Sequence, residues 1–253
     1  MNTAYTPWAS AWVSVRSIIM NTALYNVGQR RRKRHQDNPA LKLWWDIYYQ
    51  NMLVQTQRGP LIENYLKKLL FVMNQACQDC NRLFAIRIDL HYPGGNHAGL
   101  IAPQNATISA FLQYLHQELD AAGIKYPHKL RNAWCCEQDT SVNPHYHLLL
   151  LLNGDAYNGL GYMDKTPCGD YGYDNLFHRI VRAWARAINY PQECMAGLVQ
   201  VPRKPISNDL ATWFFRSDDQ TAFTDVFYAA SYLCKAYTKP IGQGVHCFDG
   251  SKR

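Results

Sequence analysis

RNAWCCEQDTSVNPHYHLLLLLN, residues 131–153, decides the fold. Its second half places two histidines, one residue apart, at the head of five unbroken leucines. Side chains alternate faces along a strand, so His145 and His147 share one face and Tyr146 takes the other. Their Cα atoms then lie roughly 6–7 Å apart, close enough for two imidazoles to meet one cation. The same pair also reads as core histidines satisfied by neighbours. Leu148–Leu152 is apolar on both faces, which predicts a central strand covered on both sides. The run is too short to cross a bilayer. RNAWCCEQ (131–138) reads as a strand, DTSVNP as a turn, and HYHLLLLL as the returning hairpin partner. A register pairing position 137 with 145 centres the turn near Ser141 and brings Glu137 beside the histidines. Two imidazoles and one carboxylate leave open coordination positions, as a catalytic cation requires. Glu137 on an exposed edge is the other reading.

The chain has 253 residues, 47% of them apolar, which is enough for a real core. Lys and Arg outnumber Asp and Glu by 26 to 19, giving +7. That balance suits a polyanionic partner. Part of it is local: Arg30, Arg31, Arg32, Lys33 and Arg34 form a continuous basic run. Such a run is a solvated face or a grip on phosphates, which adds affinity without reading sequence. The first residues lack the basic start and long apolar stretch of a secretory leader, and no membrane span is expected. The eight cysteines therefore read as reduced thiols of a cytoplasmic protein. Cys77 and Cys80 form a lone CxxC, a candidate metal pair without a second CxxC to complete it.

Residues 1–57 read as a basic, helical N-terminal arm with helices around 8–25 and 39–55, and residues 58–253 as the main domain. In the latter, the pattern predicts a helix over 61–76 and a strand over 82–93. A helix over 106–123, the hairpin, and a Gly- and Tyr-rich loop over 153–174 follow. Then come a helix over 174–188, a strand over 197–202, a helix over 221–239 stopped by Pro240, and a strand over 245–248. The order predicts an α+β fold with a central antiparallel sheet and flanking helices.

In FYAASYLCKAYTK (227–239), a continuous helix aligns Tyr228, Tyr232, Lys235 and Lys239 near one face. A phenol has a pKa of about 10 and attacks only when a base or positive charge assists. Lys235 is the nearest candidate. Tyr237 falls about 140° from Tyr232 on such a helix.

HYH (145–147) and YLCK (232–235) are similar to the His-hydrophobic-His and Tyr-x-x-Lys motifs of HUH endonucleases, and RLFAIRIDLHYP (82–93) resembles the first strand of rolling-circle replication initiators. Over about residues 60–240 the chain resembles the replication initiators of filamentous phages, satellite phages and cryptic prophages. The resemblance implies a palm-like, RRM-like core. It also implies a Mg²⁺ or Mn²⁺ ion on His145, His147 and Glu137, with Tyr232 as nucleophile and Lys235 as its helper. The implied reaction nicks single-stranded origin DNA, leaving a 5′-phosphotyrosine and a free 3′-OH. Tyr228 would be the second tyrosine found in some relatives, which rejoins the strand. Ser231 stands where several of those relatives carry lysine. Arg30–Arg34 and Lys239 are expected to contact DNA. No GxxxxGK[ST] occurs, so a helicase is expected to come from the host. The rival expectation is a DNA-binding prophage protein without nuclease activity. The metallo-hydrolase pattern HxHxD fails because residue 149 is leucine.

Overall fold

The computed structural model describes residues 31–94, 105–138, 144–204 and 206–252. The fold is α+β: a six-stranded antiparallel sheet carries helices on both faces. Short strands β1 (Leu43–Trp44), β2 (Tyr48–Tyr49), β3 (Met52–Leu53) and β4 (Leu61–Ile62) precede helix α1 (Glu63–Asp79). Strand β5 (Arg82–His91), helix α2 (Asn105–Asp120) and the hairpin β6 (Arg131–Glu137) and β7 (His145–Asn153) follow. Next come helix α3 (Leu176–Ala187), strands β8 (Val199–Gln200) and β9 (Thr212–Arg216), helix α4 (Gln220–Ser231) and strand β10 (Phe248–Gly250). The sheet order is β10-β6-β7-β5-β8, with β9 pairing the other end of β5. The hairpin has the register the sequence predicts, Glu137 opposite His145.

The alternation of each strand divides the core in two. Even-numbered residues of β5 and β7, from Phe84 to Leu90 and Tyr146 to Leu152, pack under α2 and α3 with Phe111, Leu115, Ile180 and Trp184. Odd-numbered Leu83, Ala85, Ala133, Cys135, Leu149 and Leu151 pack under α1 and α4. Helix α1 buries Leu66, Leu69, Val72, Met73 and Ala76, the stripe expected of a helix with one covered face. Strand β10 comes so close to β6 that a Cβ on Gly250 would lie 2.7 Å from the Asn132 carbonyl oxygen, so only glycine fits there.

Three expectations need correction. The helix expected over 39–55 does not form; that segment holds β1, β2 and β3, and Tyr49, Met52 and Val54 pack into the α1/α4 core. The alternating, aromatic-rich segment favours paired strands once a core is available to receive one face. The helix expected around 8–25, like Arg30, lies outside the described residues. The helix expected over 221–239 ends at Ser231, followed by a single 3-10 turn over Tyr232–Cys234. Competing bonds take over there. The Ser231 hydroxyl donates to the Tyr228 carbonyl (2.7 Å), Lys235 bridges to Leu61, and the Ala236 amide donates to the Pro60 carbonyl (3.0 Å). Pro240 also disfavours helix at the residue before it. Strand β9 is absent from the sequence reading, and the last strand begins at Phe248 rather than Val245.

Candidate metal and nucleophile site

The site grows from the parity of three neighbouring strands. On β5, Arg87, Asp89 and His91 continue the odd face past Ala85; on β7, His147 and His145 continue it past Leu149; on β6, Glu137 follows Cys135. The register sets Asp89 and Cys135 on either side of His147, and His91 and Glu137 on either side of His145. One end of an otherwise apolar face is therefore polar across three strands.

Glu137 is the centre. Its side chain is 1% exposed. Oε2 lies 3.3 Å from His147 Nε2, 3.8 Å from His145 Nε2 and 2.6 Å from Lys235 Nζ. It also accepts from the Thr238 hydroxyl at 3.2 Å. Oε1 faces Lys239 Nζ at 3.3 Å and the Cys135 thiol at 3.7 Å. Burial alone would raise the Glu137 carboxyl, but His147, Lys239 and Lys235 outweigh it and hold it well below the usual carboxylate range. Burial would lower both lysine ammoniums; the hydrogen bonds of Lys235 to Glu137 and Tyr232, and the charges around Lys239, raise them instead.

His147 Nδ1 lies 2.6 Å from Asp89 Oδ1. Asp89 is held below its usual range against burial, chiefly by His147 and then by Arg87. An ionised carboxylate only accepts, so Nδ1 donates to Asp89, while Nε2 faces Glu137. That Nε2 is buried and has no partner in hydrogen-bond geometry. Burial, and then His147, push His145 down to about 4, so its imidazole is neutral near pH 7. Glu137, His145 and His147 offer ligand atoms within 4.8 Å of one another. Two imidazole nitrogens, one of them the orphaned His147 Nε2, and one carboxylate oxygen form a group that could hold a metal ion. No other such group occurs among the described residues, and Cys77 and Cys80 gain no third ligand.

Tyr232 stands over this group. Its ring meets His147 edge-on at 5.3 Å, and its hydroxyl accepts from Lys235 Nζ at 2.6 Å. Lys235 Nζ lies 4.0 Å and Arg87 Cζ 5.1 Å from the ring centre. Tyr228 is placed differently: its hydroxyl accepts from Gln57 Nε2 at 3.1 Å. Because α4 has ended, Tyr237 is not turned away from Tyr232 as a continuous helix predicts, and its ring comes within 5.2 Å of Lys235 Nζ. The DNA contact expected of Lys239 does not fit its position, since its side chain is 0% exposed and its ammonium serves Glu137. Arg31–Arg34 are exposed, and the neighbouring His35 Nε2 lies 3.2 Å from the Ala236 carbonyl oxygen. The basic run thus borders the Tyr232–Lys239 segment. In the Gly/Tyr-rich loop, Tyr157 and Tyr171 pack into the core, whereas Tyr162 and Tyr173 are exposed and meet each other at 5.7 Å.

Asp89, Arg87 and His91 are site residues the sequence reading passed over as candidates. Their signal is RIDLH: three polar residues at alternate positions closing an apolar strand. All eight cysteines are free thiols. No helix among the described residues is long and apolar enough to cross a membrane.

Residues 46–251 match the YagK/YfjJ C-terminal domain family, and the chain belongs to that family. It is similar to uncharacterized protein YagK of Escherichia coli (strain K12), with 29% identity over 78% of this chain and 97% of the relative. It is also similar to uncharacterized protein YfjJ of the same strain, with 24% identity over 79% of this chain and all of the relative. No solved structure matches the chain.

Proposed function

We propose that this YagK/YfjJ-family protein is a metal-dependent endonuclease and strand transferase that initiates replication by nicking single-stranded origin DNA through Tyr232. One chain of contacts carries the reading: Tyr232 Oη to Lys235 Nζ at 2.6 Å, and Lys235 Nζ to Glu137 Oε2 at 2.6 Å, with both histidines facing that same oxygen. A nucleophile, its cationic helper and a ligand set converge on one end of the sheet.

In this reading Tyr232 Oη attacks a backbone phosphorus. The new Oη–P bond is a 5′-phosphotyrosine; the Tyr232 hydroxyl proton passes to solvent water, the P–O3′ bond breaks, and the 3′ oxygen leaves as a hydroxyl after taking a proton from solvent. Lys235 is an ammonium, so it offsets the charge of the tyrosinate rather than accepting its proton. His145, His147 and Glu137 hold Mg²⁺ or Mn²⁺, with imidazole favouring Mn²⁺ by ligand softness. The bound ion supplies Lewis-acid polarisation of a phosphoryl oxygen. The ester keeps the energy of the broken bond, so rejoining needs no nucleotide, and unwinding falls to a separate host helicase. Arg31–Arg34 add non-specific grip on the strand, with affinity that falls as salt rises.

The test is covalent capture. Single-stranded oligonucleotides from the cognate replicon are incubated with the protein and Mn²⁺ and resolved on a denaturing gel. A protein–DNA adduct is expected from the wild type and from Tyr228→Phe, and none from Tyr232→Phe or the His145→Ala/His147→Ala double variant. Peptide mapping should place the nucleotide on Tyr232. An adduct that persists in the double-histidine variant rejects the metal site. Tight DNA binding with no adduct from any form supports a non-cleaving DNA-binding protein instead.

A further inference from the structure

We infer that Lys235 holds the cation position on Glu137 when no metal is bound, and that loading a divalent ion hands its ammonium over to Tyr232. The inference rests on the reading of Glu137, His145 and His147 as a divalent metal centre.

One oxygen is contested. Glu137 Oε2 is the atom both histidines face, at 3.3 and 3.8 Å, and Lys235 Nζ already sits 2.6 Å from it. A carboxylate–metal bond is about 2.0–2.2 Å, so an ion drawn in by the two Nε2 atoms would share that oxygen with the ammonium. The side chains of Glu137 and Lys235 are 1% and 7% exposed, so water screens this repulsion poorly. Like charges this close favour the withdrawal of one of them.

The other oxygen offers no relief. Oε1 is held by Lys239, whose side chain is wholly buried, and by the Cys135 thiol. Glu137 thus has two ammonium partners of different kinds. Lys239 is fixed and stays through loading. Lys235 has a second partner in place, the Tyr232 hydroxyl at 2.6 Å, so its ammonium can leave the carboxylate and still be hydrogen-bonded. The buried, unpartnered His147 Nε2 marks where a ligand bond is still to be made. Before loading, the Lys235 ammonium is divided between carboxylate and phenol; after it, the phenol receives it alone. Filling the metal site and preparing the nucleophile become one event, with Lys235 as the moving part.

Mn²⁺ affinity, read from the electron paramagnetic resonance of free Mn²⁺ with the full chain and no DNA, tests this. Lys235→Met should bind Mn²⁺ at least roughly tenfold more tightly than wild type, because a like charge is gone. Lys235→Arg keeps the charge and should stay near wild type, and His145→Ala should bind poorly. Equal His145-dependent affinity in wild type and Lys235→Met overturns the role of Lys235 and leaves the metal centre standing. Tightening in Lys235→Arg as well as Lys235→Met also overturns it, since charge is then not the cause. No His145-dependent binding in any form overturns both. Should Lys235→Met fail to fold, the wild type itself carries the test. Mg²⁺ should change the near-ultraviolet tyrosine spectrum in a way that Tyr232→Phe loses, and absence of a Tyr232-dependent change overturns the handover.

Discussion

The central strands present two faces that end differently. On the even face, apolar residues continue through the level of the polar site, where Trp184 of α3 packs on Tyr92 and Tyr146. On the odd face, the apolar row stops at Ala85, Leu149 and Cys135, and Arg87, Asp89, His91, His147, His145 and Glu137 take over. The cover differs in the same way. Helices α2 and α3 pack against a closed face, and Trp184 Nε1 even donates to the His91 carbonyl at 2.8 Å. Helix α4 ends at Ser231, so the last stretch of the odd face is roofed by a 3-10 turn and a bent segment that together bear Tyr232, Lys235 and Lys239. A continuous helix would hold those side chains in a line; the broken one sends Lys235 and Lys239 to opposite oxygens of one carboxylate. One face is built for stability and the other gives up apolar contact to bring charges together.

Mutations that act on stability should separate the faces. The largest effect is expected from Trp184→Ala on the closed face, where a fully buried indole touches Phe111, Tyr92 and Tyr146. Its loss should cost about 3–5 kcal/mol, read as a lower urea midpoint with an unchanged slope. A smaller cost than that of any polar-face substitution would break the contrast.

Lys239→Met comes next. It should destabilise by about 3 kcal/mol because a buried carboxylate loses its fixed counter-ion, although Lys235 remains. Adding Glu137→Gln should deepen the loss, since the buried Lys235 ammonium is then left without a carboxylate. If the second substitution instead restores stability, the pairing of Lys235 with Glu137 contributes nothing to the fold.

Tyr232→Phe should have the smallest effect on stability, about 1 kcal/mol, because it removes one hydrogen bond and keeps the ring against His147 and Arg87. Denaturation curves should nearly overlay those of wild type while the covalent adduct disappears. A large stability loss would mean that the hydroxyl is part of the scaffold, and that the two faces differ less than their chemistry suggests.

Some of this follows from the chain alone. Strand parity is a local property, so HYH and five leucines determine that His145 and His147 share a face and that β7 is central. Turn length fixes the hairpin register, which is how Glu137 can be placed opposite His145 from sequence. Amphipathic spacing likewise locates α1, α2 and α3 to within a few residues. Other features were decided only in three dimensions. Nothing local says that Pro60 and Leu61 will pair with Ala236 and Lys235 and stop α4, because those partners are about 175 residues apart along the chain. The burial of Lys239 follows from that break. The link from Asp89 to His147 depends on the neighbour chosen by β7, although the alternation in RIDLH that puts Arg87, Asp89 and His91 on one face is local. Side-chain direction is encoded one residue at a time, whereas which charge meets which carboxylate is set by the packing of distant segments.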